Sequence, residues 1–517
     1  MTLHPWMMHA PLWTGVAMAV PAAVAPLVLL DRPHARVLAC IAASISAAAC
    51  AILLALQRGV GAPFPALMLL YAGITLGTCL VLPRRDSSGA MFAAMLFMLA
   101  TALLAYSAAT LWMMLAAWVL SLAPFLLPGW LPRVSGRMLS VLLLSSLALA
   151  IAVGCIATLD PSGSITALAG RSPGGAMVFA LLLVAVVLRA GLWPAHAWVV
   201  DAAEVGSMIP AALLLNGNLG AMLVARALVP LYPGLNQRLP LLFYLGLGTA
   251  IYAAIRALAE DSPRRLLALL ALSQSALIVG ALQGGTIEEV AAAAAQWCVV
   301  AVSTMALFGI LRLLEVRFGE NLRADRHLGL AGHAPRLAVS FAVFGLALVG
   351  LPGTLGFCAQ DLVIQGALNS HPFIGLLLPV ATAMNAVSVF RLFTRLFLGQ
   401  RRTGFTLDTA DALPRERWAL AAGLLFLVLG GLFPNLIVAK LDPHAQTSST
   451  YTVGKSGSPL FAGSLPQVAC GRASTGGSGR PLCSWRFQSA SIGMMDAIAG
   501  DAPKYATDLE HSWGKRK

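Results

Sequence analysis

The chain has 517 residues, of which 59% are hydrophobic and 11% charged, and its mean hydropathy is +0.82. An ordinary soluble domain is about 45–50% apolar and about 25% charged, so this composition excludes a water-soluble enzyme and points to a polypeptide whose solvent is mostly lipid. The formal charge of +13 would suit a nucleic-acid partner, but the basic residues are scattered between apolar runs and form no single stripe, which makes them topology signals and leaves no nucleic acid among the expected partners.

The first ten residues carry no Lys or Arg ahead of the first apolar run, so that run is expected to be a retained helix and not a cleaved signal. Apolar stretches of membrane-spanning length follow in order at 11–30, 37–56, 64–82, 90–108, 110–128, 138–159 and 176–199. Seven more lie at 207–229, 240–258, 266–283, 290–314, 337–368, 373–398 and 418–440. The 337–368 stretch is too long for one straight helix and contains Leu351-Pro352-Gly353, where a break is expected. The expected fold class is therefore all-α integral membrane, with about 14 transmembrane helices.

Loop charge tests that count independently. Loops after odd-numbered spans carry Arg32, Arg36, Arg84, Arg85, Arg133, Arg137, Arg264, Arg265, Arg317, Arg323, Arg326, Arg336, Arg401, Arg402, Arg415 and Arg417, whereas those after even-numbered spans offer little beyond Arg58, Arg171 and Arg238. Positive residues accumulate on the cytoplasmic side, so the amino terminus is expected on the non-cytoplasmic side of the cell inner membrane, with the carboxyl end on that side too. Arg391 and Arg395 read as cytoplasmic anchors. From residue 442 the composition turns to Ser, Gly and Pro, predicting a disordered tail over 442–517 with one short surface helix within 489–511. Six cysteines (Cys40, Cys50, Cys79, Cys155, Cys298, Cys358) lie in apolar runs as small hydrophobes; Cys470 and Cys483 in the tail are able to pair only in an oxidising compartment.

Ionisable groups inside lipid-spanning segments are costly and mark candidate sites. The clearest is Arg189, at the end of an apolar run that also holds the breakers Gly191 and Pro194 and is followed by His196, Trp198, Asp201 and Glu204. A helix interrupted in mid-membrane frees backbone groups that line a polar cavity, as ion-transporting proteins require. The alternative is that Arg189 snorkels, or pairs with Asp201 or Glu204 to lock two helices. Glu288 and Glu289 open an alanine-rich helix, where the helix dipole favours them. No nucleotide loop, flavin fingerprint, zinc spacing or nucleophile elbow is visible, so neither a cofactor nor a metal is expected.

The stretch P-A-H-A-W-V-V-D-A (Pro194 to Ala202), with a basic residue five positions before the proline, resembles the broken seventh helix of the antiporter-like membrane subunits of respiratory complex I (NADH-quinone oxidoreductase chains L, M and N) and of the Mrp cation/proton antiporters. Three further stretches agree. S-P-R-R-L-L-A with L-S-Q-S (Ser262 to Ser275) is similar to the stretch leading into helix ten, G-L-P-G-T-L-G-F-C-A-Q-D (Gly350 to Asp361) to the break in helix twelve, and V-S-V-F-R-L-F-T-R-L-F-L-G (Val387 to Gly399) to helix thirteen of the L-type chains. The lack of a lateral helix and further span after residue 440 is closer to the M or N type.

The resemblance implies two inverted five-helix repeats with broken helices 7 and 12. The expected organisation is helices 1–3 over 1–89, a first repeat over 90–230, a second over 238–400, helix 14 over 415–441 and the tail over 442–517. It also implies a proton path along the membrane midplane, carried in the family by a Glu in helix five and lysines in helices seven, eight and twelve. This chain departs at nearly every position: Val119 stands in helix five, Arg189 in helix seven, Asn216 or Asn218 in helix eight, Val300 for the frequent His of helix eleven, and Gln360 in helix twelve with Asp361 beside it.

The first lysine of the chain is Lys440. Arginine stays charged, and Asn, Gln and Val have no group that titrates, which leaves His196, Asp361 and Asp201 as the titratable groups near mid-depth. The expected proton-path candidates are thus Arg189, His196, Asp201, Asn216, Asn218, Gln360 and Asp361, with helix breaks at Pro194, Pro352 and Gly353. Two readings follow: a transport subunit with a reduced path, or a degenerate relative that keeps the fold within a proton-translocating NADH-quinone oxidoreductase-like complex without pumping. A cation/proton antiporter and an energy-coupled inorganic-carbon uptake complex are the alternative settings. The expected partners are other membrane subunits, the lipid bilayer and quinone-linked subunits.

Overall fold

The computed structural model describes residues 10–434 except 31–32, 57–63, 128–129, 132–133, 205–207, 284–286, 320–321, 323–326, 371–374 and 400–410. The chain divides into two compact units, Met1–Tyr451 and Thr452–Lys517, and every described residue belongs to the first. The expected tail over 442–517, with Cys470, Cys483 and the 489–511 helix, lies outside the described residues.

Among the described residues the architecture is helical, the one extended pairing being an isolated bridge between Thr110 and Ser164. In hydrocarbon every backbone N–H and C=O must find a partner within the protein, and a helix supplies it locally. The helices in chain order begin with α1 (Ala10–Leu30), α2 (Ala35–Leu56), α3 (Phe64–Val81), α4 (Gly89–Ser107), α5 (Leu111–Leu120) and α6 (Gly136–Ala157). Next come α7 (Gly175–Ala190), α8 (Ala197–Glu204), α9 (Met208–Asn216), α10 (Leu219–Leu223), α11 (Leu241–Ala259) and α12 (Pro263–Ala281). The last are α13 (Ile287–Phe318), α14 (Pro335–Leu348), α15 (Leu355–Ser370), α16 (Leu377–Phe397) and α17 (Pro414–Leu432).

Among the described residues ten helices are long and apolar enough to cross a membrane. The expected spans at 110–128, 176–199 and 337–368 appear as shorter apolar helices, Leu111–Leu126, Gly175–Ala190 and Pro335–Leu348. The first stops short because Ser121 and Leu122 turn before a separate short helix, Ala123–Leu126. The last expected span, 418–440, overlaps α17, which carries Arg415, Glu416 and Arg417 in its first turn and is not among the ten; residues 435–440 lie outside the described residues. The described residues thus form the helical body of a multi-pass membrane protein.

Burial identifies the interior. In the most apolar 18-residue stretch of each span, 94% of residues are buried for Met208–Leu231, 89% for Glu289–Phe318 and 83% for α12, against 22% for α1, so the former three form the centre and α1 an outer wall. Without a hydrophobic drive between helices in lipid, association relies on close packing at small residues. Gly246 of α11 lies against α12 so closely that a Cβ would come within 2.7 Å of the Ala276 carbonyl and 2.9 Å of Gly280 Cα. Any larger residue at 246 would separate the two helices.

Ion pairs fasten one end of the bundle. Arg312 takes Asp86 with both arms of its fork at 2.6 and 2.9 Å and reaches Glu315 at 3.0 Å, while Arg264 clamps the same Glu315 at 2.6 and 2.7 Å. Arg265 meets Glu260 at 3.2 Å and Glu204 at 3.7 Å, Arg137 meets Asp201 at 3.1 Å, and Arg317 meets Glu416 at 2.6 Å. Arg391 donates to the carbonyls of Leu258 and Glu260 at the end of α11, and Arg395 holds Asp261 at 3.0 Å. All these groups flank loops that follow odd-numbered spans, so those helix ends share one face. Fork geometry suits arginine to such partly buried carboxylates.

Candidate functional site

Three chain interruptions concentrate the buried polar groups. At the first, α7 ends at Ala190 because Gly191 adopts φ +68, where a Cβ would strike Val199 and Trp198. The carbonyl released near this end, Leu188 O, accepts from Trp198 Nε1 at 3.0 Å from beyond the break. Trp193 N donates to Thr249 Oγ1 of α11 at 2.9 Å, and His196 Nε2 lies 3.0 Å from Tyr252 Oη of the same helix. His196 Nδ1 is buried without a hydrogen-bond partner. The break therefore leans on one face of α11.

Arg189 sits just before this break and is 4% exposed. Its guanidinium donates to Ser121 Oγ and lies 5.2 Å from the centre of the Trp118 ring, while its Nη1 has no hydrogen-bond partner. Trp118 is itself fixed by Nε1 donation to Ser145 Oγ at 3.2 Å, and Ser145 donates onward to Ala185 O at 2.8 Å. Neither acid proposed as its counter-ion is engaged: Asp201 pairs with Arg137 and Glu204 with Arg265, both in the ion-pair belt. Val119 is 46% exposed, so the side chain that follows Trp118 turns outward. A ring face and a hydroxyl stabilise the cation here.

The second interruption divides the expected eighth span between α9 and α10. Asn216 is followed by Gly217 and by Asn218 at φ +41, a left-handed conformation that asparagine tolerates better than most side chains. Three buried side chains take the carbonyls along this stretch: Tyr71 Oη donates to Leu213 O at 2.9 Å, Tyr106 Oη to Gly217 O at 2.7 Å and Trp297 Nε1 to Asn216 O at 3.1 Å. Their rings meet edge to face, at 6.0 Å for Tyr71 and Tyr106 and 5.8 Å for Tyr106 and Trp297. Asn216 Oδ1 accepts from Thr304 Oγ1 at 2.9 Å. Asn216 and Asn218 stood out in the sequence; Tyr71, Tyr106, Trp297 and Thr304 did not. The available signal was a phenol or indole within an apolar run, because each carries a donor that burial obliges it to use.

The third interruption lies between α14 and α15, where Gly350 and Gly353 adopt φ +84 and +85 around Pro352. Gln360 turns back to donate from Nε2 to Leu348 O at 3.0 Å. Asp361, the next residue, faces outward from the bundle and accepts from Gln365 at 2.8 Å. It does not join the interior.

Between the second and third interruptions the interior polar groups are amides and hydroxyls. Gln296 Nε2 donates to Gln274 Oε1 at 2.8 Å, and Asn385 Nδ2 to Ser273 Oγ at 2.8 Å, all four residues being buried. Among the described residues no cluster of three or more His, Cys, Asp or Glu is arranged to hold a metal. Such groups bind and orient, but phenols, amides, hydroxyls and guanidinium do not exchange protons readily near neutral pH.

Residues 135–385 match the family described as NADH:quinone oxidoreductase/Mrp antiporter, TM. Among curated relatives the chain is similar to NADH-quinone oxidoreductase subunit M of Mycobacterium tuberculosis (strain CDC 1551 / Oshkosh), at 27% identity over 316 residues, 60% of this chain and 57% of that protein. It is 30% identical over 273 residues to NADH-quinone oxidoreductase subunit 13 of Thermus thermophilus, which covers 52% of this chain and 57% of that protein. The matched stretch thus spans less than two thirds of either relative. In fold the chain is similar to a chain of respiratory complex I from Thermus thermophilus with bound NADH, at TM-score 0.73 and 24% identity, covering 84% of this chain and 98% of that one. It is also similar to a chain of the Mrp complex from Dietzia sp. DQ12-45-1b, at TM-score 0.72 and 19% identity, covering 84% and 96%.

Proposed function

We propose that this chain, whose residues 135–385 carry the transmembrane segment of the NADH:quinone oxidoreductase/Mrp antiporter family, is a membrane subunit of a multi-subunit, proton-translocating NADH-quinone oxidoreductase-like complex in which its own relay has lapsed. It crosses the inner membrane fourteen times with the amino terminus on the non-cytoplasmic side. Two inverted repeats, over 90–230 and 238–400, are interrupted in helices 7 and 12, helices 1–3 precede them and helix 14 follows. Its partners are other membrane subunits, and redox chemistry belongs to those chains.

The observation that carries this reading is the setting of Arg189: a cation held by Trp118 and Ser121, with the acids Asp201 and Glu204 drawn away to surface arginines. A relay station needs a group that changes protonation, with a counter-charge that modulates it. From Arg189 onward the interior continues through phenols and amides, and Gln360 is spent on a backbone carbonyl.

Proton flux in vesicles containing the assembled complex tests the proposal. Arg189→Ala and Asp361→Asn should leave flux unchanged, and loss of flux with assembly intact would overturn it. For topology, cysteines introduced at 411 to 417 should label from the cytoplasmic side; labelling from the opposite face means that the span count is wrong by one. Because the matched family also covers Mrp antiporters, a cation/proton antiporter complex is the second reading. Co-purification with antiporter subunits in place of quinone-linked ones would select it.

A further inference from the structure

A crevice of about 590 Å³ lies between α3, α13 and α17, and none of the polar side chains at the three interruptions lines it. It follows α3 from Ala66 to Leu82 and α13 from Cys298 to Arg312, about 24 and 21 Å of helix. Glycines make the space. Gly73 and Gly77 of α3 line it one turn apart, and a Cβ added to either would meet no atom within 4 Å. The wall has little to offer a polar ligand: Thr78 gives its hydroxyl to Ile74 O at 2.6 Å, and Arg312 is held by Asp86 and Glu315.

Those dimensions select a chain over a helix. Spread along about 24 Å, the volume gives a mean cross-section of roughly 25 Å², against roughly 80 Å² for a helix 10 Å across. The length exceeds the ~15 Å depth of one leaflet, so an acyl chain entering from that leaflet fits within it.

The end of the crevice at the ion-pair belt suits a headgroup. Pro83 and Trp418 line it, Arg84 directly follows the first, and Arg417 directly precedes the second. Both arginines are exposed, and among the described residues neither is paired with a carboxylate. Their neighbours in sequence are tied to the same helix, Asp86 to Arg312 and Glu416 to Arg317, two positions about 7.5 Å apart along α13. The two cations therefore stand at one mouth. Trp418 is 77% exposed there, as an indole at a membrane–water boundary is, and basic pockets between transmembrane helices take lipid headgroups. We propose that the α3–α13–α17 crevice binds one anionic phospholipid, an acyl chain lying along Gly73 and Gly77 and the phosphate against Arg84 and Arg417. The site needs only that the chain spans a bilayer, and it stands whether or not the membrane interior conducts protons.

Native mass spectrometry of the full-length chain, stripped of lipid in detergent and titrated with phosphatidylglycerol or with phosphatidylcholine of the same acyl chains, tests this alongside the thermal midpoint. Wild type should take up one phosphatidylglycerol saturably, about tenfold or more tightly than phosphatidylcholine, and its midpoint should rise with that lipid. Gly77→Leu and Gly73→Leu fill the crevice and should each weaken phosphatidylglycerol binding by about tenfold or more, their lipid-free midpoints staying near that of wild type. Gly248→Leu, on α11 where an added Cβ also meets nothing within 4 Å, should bind as wild type does. Arg84→Gln combined with Arg417→Gln should erase the preference between the two lipids, and Arg171→Gln should keep it. Equal binding of both lipids by wild type, or the absence of a saturable one-to-one complex, overturns the proposal. So does binding that survives both crevice variants, or displacement of the lipid by glycerol 3-phosphate, which would make the site one for a free phosphate.

Discussion

The helix breaks after α7 and after α14 solve one problem with different chemistry. In each, a leucine carbonyl near the end of the first helix accepts a hydrogen bond at 3.0 Å from a side chain beyond the interruption: Leu188 O from Trp198, and Leu348 O from Gln360. The first break retains a buried charge beside it, Arg189, and the second has none in its interior, since Asp361 turns outward. Maintaining an interrupted helix in lipid therefore requires a donor from across the gap but no charge. The charge at the first break is an addition to the architecture, and its removal should be tolerated where removal of the donors is not.

The sharpest break of that comparison is reversal of the charge. Arg189→Glu places a carboxylate against Trp118 and Ser121 with no cation beside it, and should cost about 3–5 kcal/mol, seen as loss of folded protein or a large drop in thermal midpoint in detergent. Arg189→Met should be neutral or stabilising, because it removes an ion that lacks an anionic partner; a loss as large as that of the glutamate variant would show the guanidinium to be structural. Trp198→Phe and Gln360→Leu each leave one carbonyl without its donor, and each should cost about 1–3 kcal/mol. Unequal values would show that the two breaks are not equivalent. Gly350→Ala forces a side chain into a left-handed conformation facing Gln360 and should cost about 1–3 kcal/mol. Arg137→Ala, whose side chain is 64% exposed where it meets Asp201, should change stability by less than about 1 kcal/mol.

The spans were legible because lipid imposes one rule along their whole length, and α2, α4 and α6 begin and end within two residues of the apolar runs at 37–56, 90–108 and 138–159. The division of the eighth span was not, because L-N-G-N-L is as apolar at its flanks as an unbroken helix and the interruption depends on donors from Tyr71, Tyr106 and Trp297, which are remote in sequence. Arg189 announced itself by charge alone. Its surroundings did not: the family resemblance drew attention to Val119, yet Trp118 and Ser121 are the residues at the end of α5 that reach the guanidinium. A one-residue step on a helix rotates a side chain by about 100°, and no pattern within α5 specifies which neighbour faces α7.

The arginine belt has a consequence for chemistry done on the intact protein. Its forks, such as Arg264 and Arg312 on Glu315, are guanidinium groups, and no primary amine of lysine precedes Lys440. Amine-directed reagents, whether cross-linkers, acylating labels or cellular acetyl donors, find no lysine over residues 1–439. Distance restraints gathered with them would report on the carboxyl-terminal stretch, the amino terminus and whichever neighbours lie near, and the bilayer-embedded body would have to be mapped through its carboxylates and thiols.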